Sequence, residues 1–284
     1  MSDPGRSGGQ TRTSPTRSEV GRRVASGIVL AAVALAAAWL GGPVFALFWL
    51  AAGIAIAFEW IAMTRAEPRA ILAALCAAGL AGLIVGHKLD TSPAAEAGIL
   101  LLALGALAFA AESGRDRAWA LAGFAYAALV ALVPVVIRDR PDLGLVPILW
   151  LFAVVWTTDV AAYFAGRAIG GPKLAPSVSP KKTWSGFLGG LAGATLVGTL
   201  VVDLGRRFGA ELPVGLVAVA LGSAVASVAS QIGDLGESAL KRRFGAKDSG
   251  RLIPGHGGVM DRLDGFAAVA LLCGVALAGS RLAR

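Results

Sequence analysis

The sequence predicts an all-α protein: a polytopic helix bundle integral to a membrane, with about nine transmembrane helices and a cytoplasmic N-terminus. Three observations carry this. Of the 284 residues, 56% are hydrophobic and only 15% are charged. The apolar residues come in long blocks, and a helical span needs roughly 17–25 of them. The basic residues behind the net charge of +8 are sorted between alternate loops.

The apolar blocks lie near 24–41, 43–63, 70–86, 97–112, 118–137, 145–166, 185–202, 213–233 and 265–280. The loops between them are short and leave no room for a separate soluble domain. Residues 1–19, rich in Gly, Ser, Thr, Pro and Arg, read as a disordered cytoplasmic tail. Arg22 and Arg23 precede an Ala-rich run, as in a secretion leader. Further spans follow at once, so the first block reads as an anchor. Residues 20–137 carry few polar side chains and read as an N-terminal transmembrane scaffold. Glu59 is the main exception, and its place near the end of a span lets it snorkel to water. Residues 138–284 read as the C-terminal transmembrane catalytic region.

With the N-terminus inside, Lys88, Arg138, Arg140, Arg206, Arg207, Arg281 and Arg284 fall outside, and the other 19 of the 26 Lys and Arg fall inside. That asymmetry is the positive-inside pattern. It accounts for the basic balance, which in a soluble protein would point to nucleic acid; none is expected here. Cys76 and Cys273 sit in apolar blocks at a spacing that suits neither zinc nor a disulfide framework, and read as packing residues.

Asp159 lies inside the sixth block. A carboxylate there costs roughly 2.5–3.5 kcal/mol on insertion scales and should face a cavity or a partner. The alternative is a packing hydrogen bond to Thr158 or Arg167. The loop that follows carries Ser179, Lys181, Lys182 and Thr183 between helix-breaking prolines. These donors suit phosphate oxygens, and equally a basic loop on anionic lipid. The small residues of G-F-L-G-G-L-A-G (186–193) suit close helix packing. No Walker A pattern occurs in the sequence.

The densest polar run extends from Ser238 to Asp264 and holds Lys241, Arg242, Arg243, Lys247, Asp248, Arg251, His256, Asp261, Arg262 and Asp264. The eighth block ends at Asp234 and the ninth begins after Asp264, so Asp234, Asp261 and Asp264 come to one mouth of the bundle. Asp261 and Asp264, at i, i+3, share a face if the helix includes them. Clustered carboxylates suit Mg²⁺, which takes one or two of them plus substrate phosphates. Lys241, Arg242, Lys247 and Arg251 interleave to neutralise phosphate. His256 is either a phosphate donor or acid, or a structural loop residue. Glu237 and Lys241 form an i, i+4 ion pair. These residues describe a membrane enzyme acting on a phosphate-bearing substrate, with Mg²⁺.

The run Ser238–Asp264 resembles the signature of the phosphatidate cytidylyltransferases (CDP-diacylglycerol synthases). The pattern is S-x-φ-K-R, four residues, K-D-x-small, two residues, then φ-P-x-H-G-G-φ-x-D-R-φ-D, with φ apolar. D-V-A-A-Y-F-A-G-R (159–167) and L-A-P-S-V-S-P-K-K-T-W (174–184) are similar to the family too. The resemblance implies transfer of CMP from CTP to phosphatidate in the bilayer, giving CDP-diacylglycerol and pyrophosphate. It implies Asp234 and Asp261 as metal ligands, Asp264 as a further ligand or orienter, and Lys241 beside them as catalytic. Arg242, Lys247, Asp248, His256 and Arg262 would bind substrate, with Asp159, Ser179, Lys181, Lys182 and Thr183 completing the cavity. The composition is compatible with a bacterial inner membrane, with the site facing the cytoplasm, and with a homodimer. The alternatives are a CTP-dependent enzyme on another lipid and, from a different class, an ion-coupled transporter.

Overall fold

The computed structural model describes residues 17–212, 214–253 and 257–282. Among them the order is α1 (Arg17–Leu40), α2 (Gly42–Thr64), α3 (Arg69–Lys88), α4 (Pro93–Ala110), α5 (Gly114–Asp139), α6 (Val146–Ile169), β1 (Lys173–Ala175), β2 (Ser179–Thr183), α7 (Trp184–Arg207), α8 (Leu216–Arg243) and α9 (Met260–Leu282). Eight of these helices are long and apolar enough to cross a membrane, and α1 has a shorter apolar stretch, Ala25–Leu40. The all-α, multi-pass reading therefore holds. Helices satisfy their own backbone groups, which lipid requires. The expected tail at 1–19 lies mostly outside the described residues, which begin within α1 at Arg17.

Three boundaries differ from the sequence reading in ways that matter for the site. The loop around Ser179–Thr183 is an antiparallel hairpin, with Lys173 opposite Thr183 and Ala175 opposite Ser179. Helix α8 does not stop at Asp234 but continues to Arg243. It ends in a Schellman motif: Ala246 N–H donates to Lys241 O (2.8 Å), Gly245 N–H donates to Arg242 O (3.1 Å), and Gly245 has φ 67°. Helix α9 starts at Met260, so Asp261 and Asp264 are helical and share a face.

Glycines let α6 and α7 pack closely. A Cβ on Gly190 would lie 2.8 Å from Thr158 O, and one on Gly186 2.8 Å from Ala162 O. The small-residue run is thus a packing surface, as expected. Cross-links tie α6 to α8: Thr158 donates to Ser227 (2.9 Å) and Trp150 Nε1 to Ser223 (2.8 Å). The N-terminal half is more than a scaffold. Trp49 of α2, 1% exposed, stacks on Phe266 of α9 with centroids 4.6 Å apart. Cys76 is fully buried and Cys273 partly, both as free thiols.

Arg138 of α5 closes the end of α1. Its guanidinium donates to Ala38 O (2.9 Å) and Trp39 O (3.4 Å). Gly41 makes the turn into α2 at φ 62°, and a Cβ there would meet Arg138 Nη2 at 2.8 Å. Gly41→Ala is expected to destabilise by about 1–2 kcal/mol from left-handed strain, and further by displacing Arg138. Thermal unfolding in detergent reads this; an unchanged midpoint removes the Arg138 staple from the account.

Candidate active site

A cavity of about 770 Å³ opens where α1, α2, α6, α8 and α9 converge. Part of its wall is polar, formed by Asp159, Asp234, Asp261, Arg262 and Asp264 of α6, α8 and α9. The rest is apolar and includes Leu30 and Ala34 of α1, Phe48 and Ala52 of α2, and Val155 and Val160 of α6. The sequence gathered this polar group but did not show that α1 and α2 supply much of the wall.

Asp159 opens on the cavity beside Asp234, Asp264, Lys182 and Arg262, whose charges it feels. The alternative partners are engaged elsewhere: the Thr158 hydroxyl is hydrogen-bonded with Val154 O and with the Ser227 hydroxyl, and Arg167 donates to Tyr163. Asp234, half-buried, pairs with Lys182 Nζ at 2.6 Å. That ion pair draws the β2 strand onto α8. Asp264 Oδ1 accepts the N–H of Gly265 at 2.6 Å.

Asp261 is held more tightly. Its Oδ1 accepts from Lys241 Nζ (2.7 Å) and Ser249 N–H (3.1 Å); its Oδ2 accepts from Ser249 N–H (3.0 Å) and Gly258 N–H (2.8 Å). The Gly258–Asp261 bond is half of a capping box, with the fourth residue reaching back to the helix entry. Lys241 Nζ also lies 2.9 Å from the buried Glu237, close enough for an ion pair but not aligned as a hydrogen bond. The expected Glu237–Lys241 pair is therefore part of a triad, Glu237–Lys241–Asp261, bridging α8 and α9.

The structure does not bring every candidate to the cavity wall. Thr183 is buried and caps α7, accepting from Gly186 N–H at 3.1 Å. Ser185 stands beside it and donates to Gly170 O. Ser179 is half-buried and Lys181 is exposed on the hairpin. Arg242, Lys247 and Asp248 are exposed at and beyond the end of α8. His256 lies outside the described residues.

Glu59 was misread. It does not snorkel: it is 4% exposed, and its carboxylate accepts Val259 N–H (2.9 Å), Met260 N–H (2.9 Å) and the Ser249 hydroxyl (3.1 Å). The first N–H groups of a helix have no partner within it, and here a carboxylate of α2 supplies one. The signal was available, since a carboxylate within an apolar span needs a partner.

Comparison with known proteins identifies the family. A sequence model described as the cytidylyltransferase family matches residues 21–278. A phosphatidate cytidylyltransferase of Brucella suis biovar 1 (strain 1330) is 45% identical over 252 residues, covering 88% of this chain and 90% of that one. Those of Bacillus subtilis (strain 168) and of Haemophilus influenzae (strain ATCC 51907 / DSM 11121 / KW20 / Rd) are 43% identical over 133 residues and 41% over 154. They cover 47% and 51% of this chain, and 48% and 52% of their own length. With a match over nearly all its length and carboxylates gathered at one cavity, the chain belongs to the cytidylyltransferase family.

Proposed function

We propose that the protein transfers CMP from CTP to phosphatidate, giving CDP-diacylglycerol and pyrophosphate. The observation that carries this is the divided cavity. Its polar part suits phosphates, and its apolar wall between α1, α2 and α6 suits acyl chains. A lipid headgroup and a water-soluble nucleotide can meet only where two such surfaces join.

In the reaction an oxygen of the lipid phosphate forms a bond to the α-phosphorus of CTP. The bond from that phosphorus to the β-phosphate oxygen breaks, and pyrophosphate leaves with the electron pair. No protein nucleophile is needed; alignment and charge neutralisation suffice. Arg262 is the cation on the cavity wall, and Lys182, paired with the wall residue Asp234, would exchange it for a phosphate oxygen.

Mg²⁺ fits the donor set. Among the described residues no three Asp, Glu, His or Cys side chains close into a ready cage. Mg²⁺ does not need one, because it keeps waters and takes one or two carboxylates with substrate phosphates. Asp234 and Asp264 would hold it, and Asp159 lines the same cavity. When bound, Mg²⁺ would neutralise the triphosphate. Asp261 has both oxygens occupied by Lys241 and loop N–H groups. We therefore assign it to holding Lys241 and the loop, in place of the metal-ligand role expected from the sequence.

The polar part would face the cytoplasm, where CTP is; the Lys and Arg asymmetry supports that orientation. The eight long apolar helices support a multi-pass place in the cell membrane.

The test is product formation. Purified protein in detergent, given phosphatidate, CTP and Mg²⁺, is expected to form CDP-diacylglycerol by mass spectrometry, and EDTA is expected to stop it. Folded protein that forms no CDP-lipid overturns the function; formation unaffected by EDTA overturns the metal.

A further inference from the structure

We propose that Glu59 is a positioning residue for nucleotidyl transfer: from α2 it fixes Ser249 and the Val259–Met260 entry to α9, and through them the placement of Asp261, Arg262 and Asp264 at the cavity. This rests on the function proposed above.

Glu59 is absent from the cavity wall. Every hydrogen bond found for it ends on the segment that carries the cavity residues Val259, Asp261, Arg262 and Asp264. Its two oxygens meet three donors. Oε1 takes Val259 N–H; Oε2 takes Met260 N–H and the Ser249 hydroxyl. Both oxygens therefore act as acceptors. Ser249 is gripped twice, by its hydroxyl from Glu59 and by its N–H from Asp261. The loop is thus pinned from α2 on one side and from α9 on the other.

Two glycines make room for this carboxylate. A Cβ on Gly250 would lie 2.5 Å from Glu59 Oε1, and one on Gly258 2.5 Å from Oε2. Gly250 and the second glycine of H-G-G therefore take part in one contact, with a side chain some 190 residues away in sequence. The packing explains why α2 carries a buried carboxylate in an apolar span.

The experiment uses the full-length protein with Glu59→Gln, which keeps size and one acceptor oxygen but turns an N–H₂ donor towards loop donors. A displaced loop lowers kcat by about 100-fold, the scale of a 1 Å misplacement at a reacting centre. It also raises the Mg²⁺ concentration for half-maximal rate, which a mere loss of folded protein leaves unchanged. Trypsin cleavage after the exposed Arg251 is expected to accelerate in the monodisperse variant, and cleavage after Arg65 is not. Ser249→Ala, which removes one bond, should move all three readouts in the same direction by less. Glu59→Gln with wild-type kcat and Mg²⁺ dependence overturns the proposal, whatever trypsin shows. So does a lower rate that tracks only the folded fraction, with cleavage at Arg251 unchanged. An inactive wild-type protein overturns the proposed function instead, and trypsin then still reports whether Glu59 pins the loop.

Discussion

Asp261→Asn is expected to lower kcat by about 10²–10³-fold and to destabilise the protein. Both effects come from the same bonds. Asp261 neutralises Lys241, whose side chain is 14% exposed, and accepts the N–H groups of Ser249 and Gly258. The amide carries no charge, and its N–H₂ must face at least one of those donors. Breaking a buried ion pair costs about 3–5 kcal/mol; Glu237 remains as a counter-charge for Lys241, which favours the lower end. The loss in rate follows from the displaced loop and from a misdirected Lys241, on the scale of losing one fixed transition-state contact. Steady-state kinetics and thermal unfolding on the same sample measure both. Full activity in Asp261→Asn removes the triad from the mechanism.

Asp234→Asn is expected to behave differently. Its ion pair with Lys182 is partly exposed, with side chains 24% and 29% accessible. Such a pair contributes at most about 1 kcal/mol, so the unfolding temperature should hardly move. Activity should still fall by about 10²–10³-fold, with a raised Mg²⁺ requirement, because Asp234 is one of the carboxylates proposed to hold the metal. Equal losses of stability in Asp234→Asn and Asp261→Asn would contradict the division of labour between them.

Much of this was legible in the sequence. The apolar blocks gave the helices because lipid leaves a buried backbone little choice. Asp234, Asp261 and Asp264 were expected at one mouth because they sit at the facing ends of adjacent helices, and all three line one cavity. What escaped had physical causes. Helix α8 outlasts its apolar block by more than two turns, since its end is set by Gly245 in the left-handed region and not by hydropathy. Lys241 consequently projects from a helix rather than a loop, which is what lets it bridge Glu237 and Asp261. Thr183 looked like a phosphate donor because it follows two lysines, but a Thr before a helix is also a cap, and capping won. Glu59 is joined to its partners across about 200 residues, and no local pattern announces such a contact. The apolar wall from α1 and α2 was hidden for a similar reason: an Ala that lines a cavity reads like one that faces lipid.

The central claim is that the divided cavity performs nucleotidyl transfer to a lipid phosphate. Two parallel reactions test it most directly, with phosphatidate and Mg²⁺, one given CTP labelled at the α-phosphorus and the other CTP labelled at the γ-phosphorus. The account predicts label in the lipid fraction from the α-phosphorus and label in pyrophosphate from the γ-phosphorus. Transfer of the γ-label to lipid would mean phosphorylation, and would contradict the account.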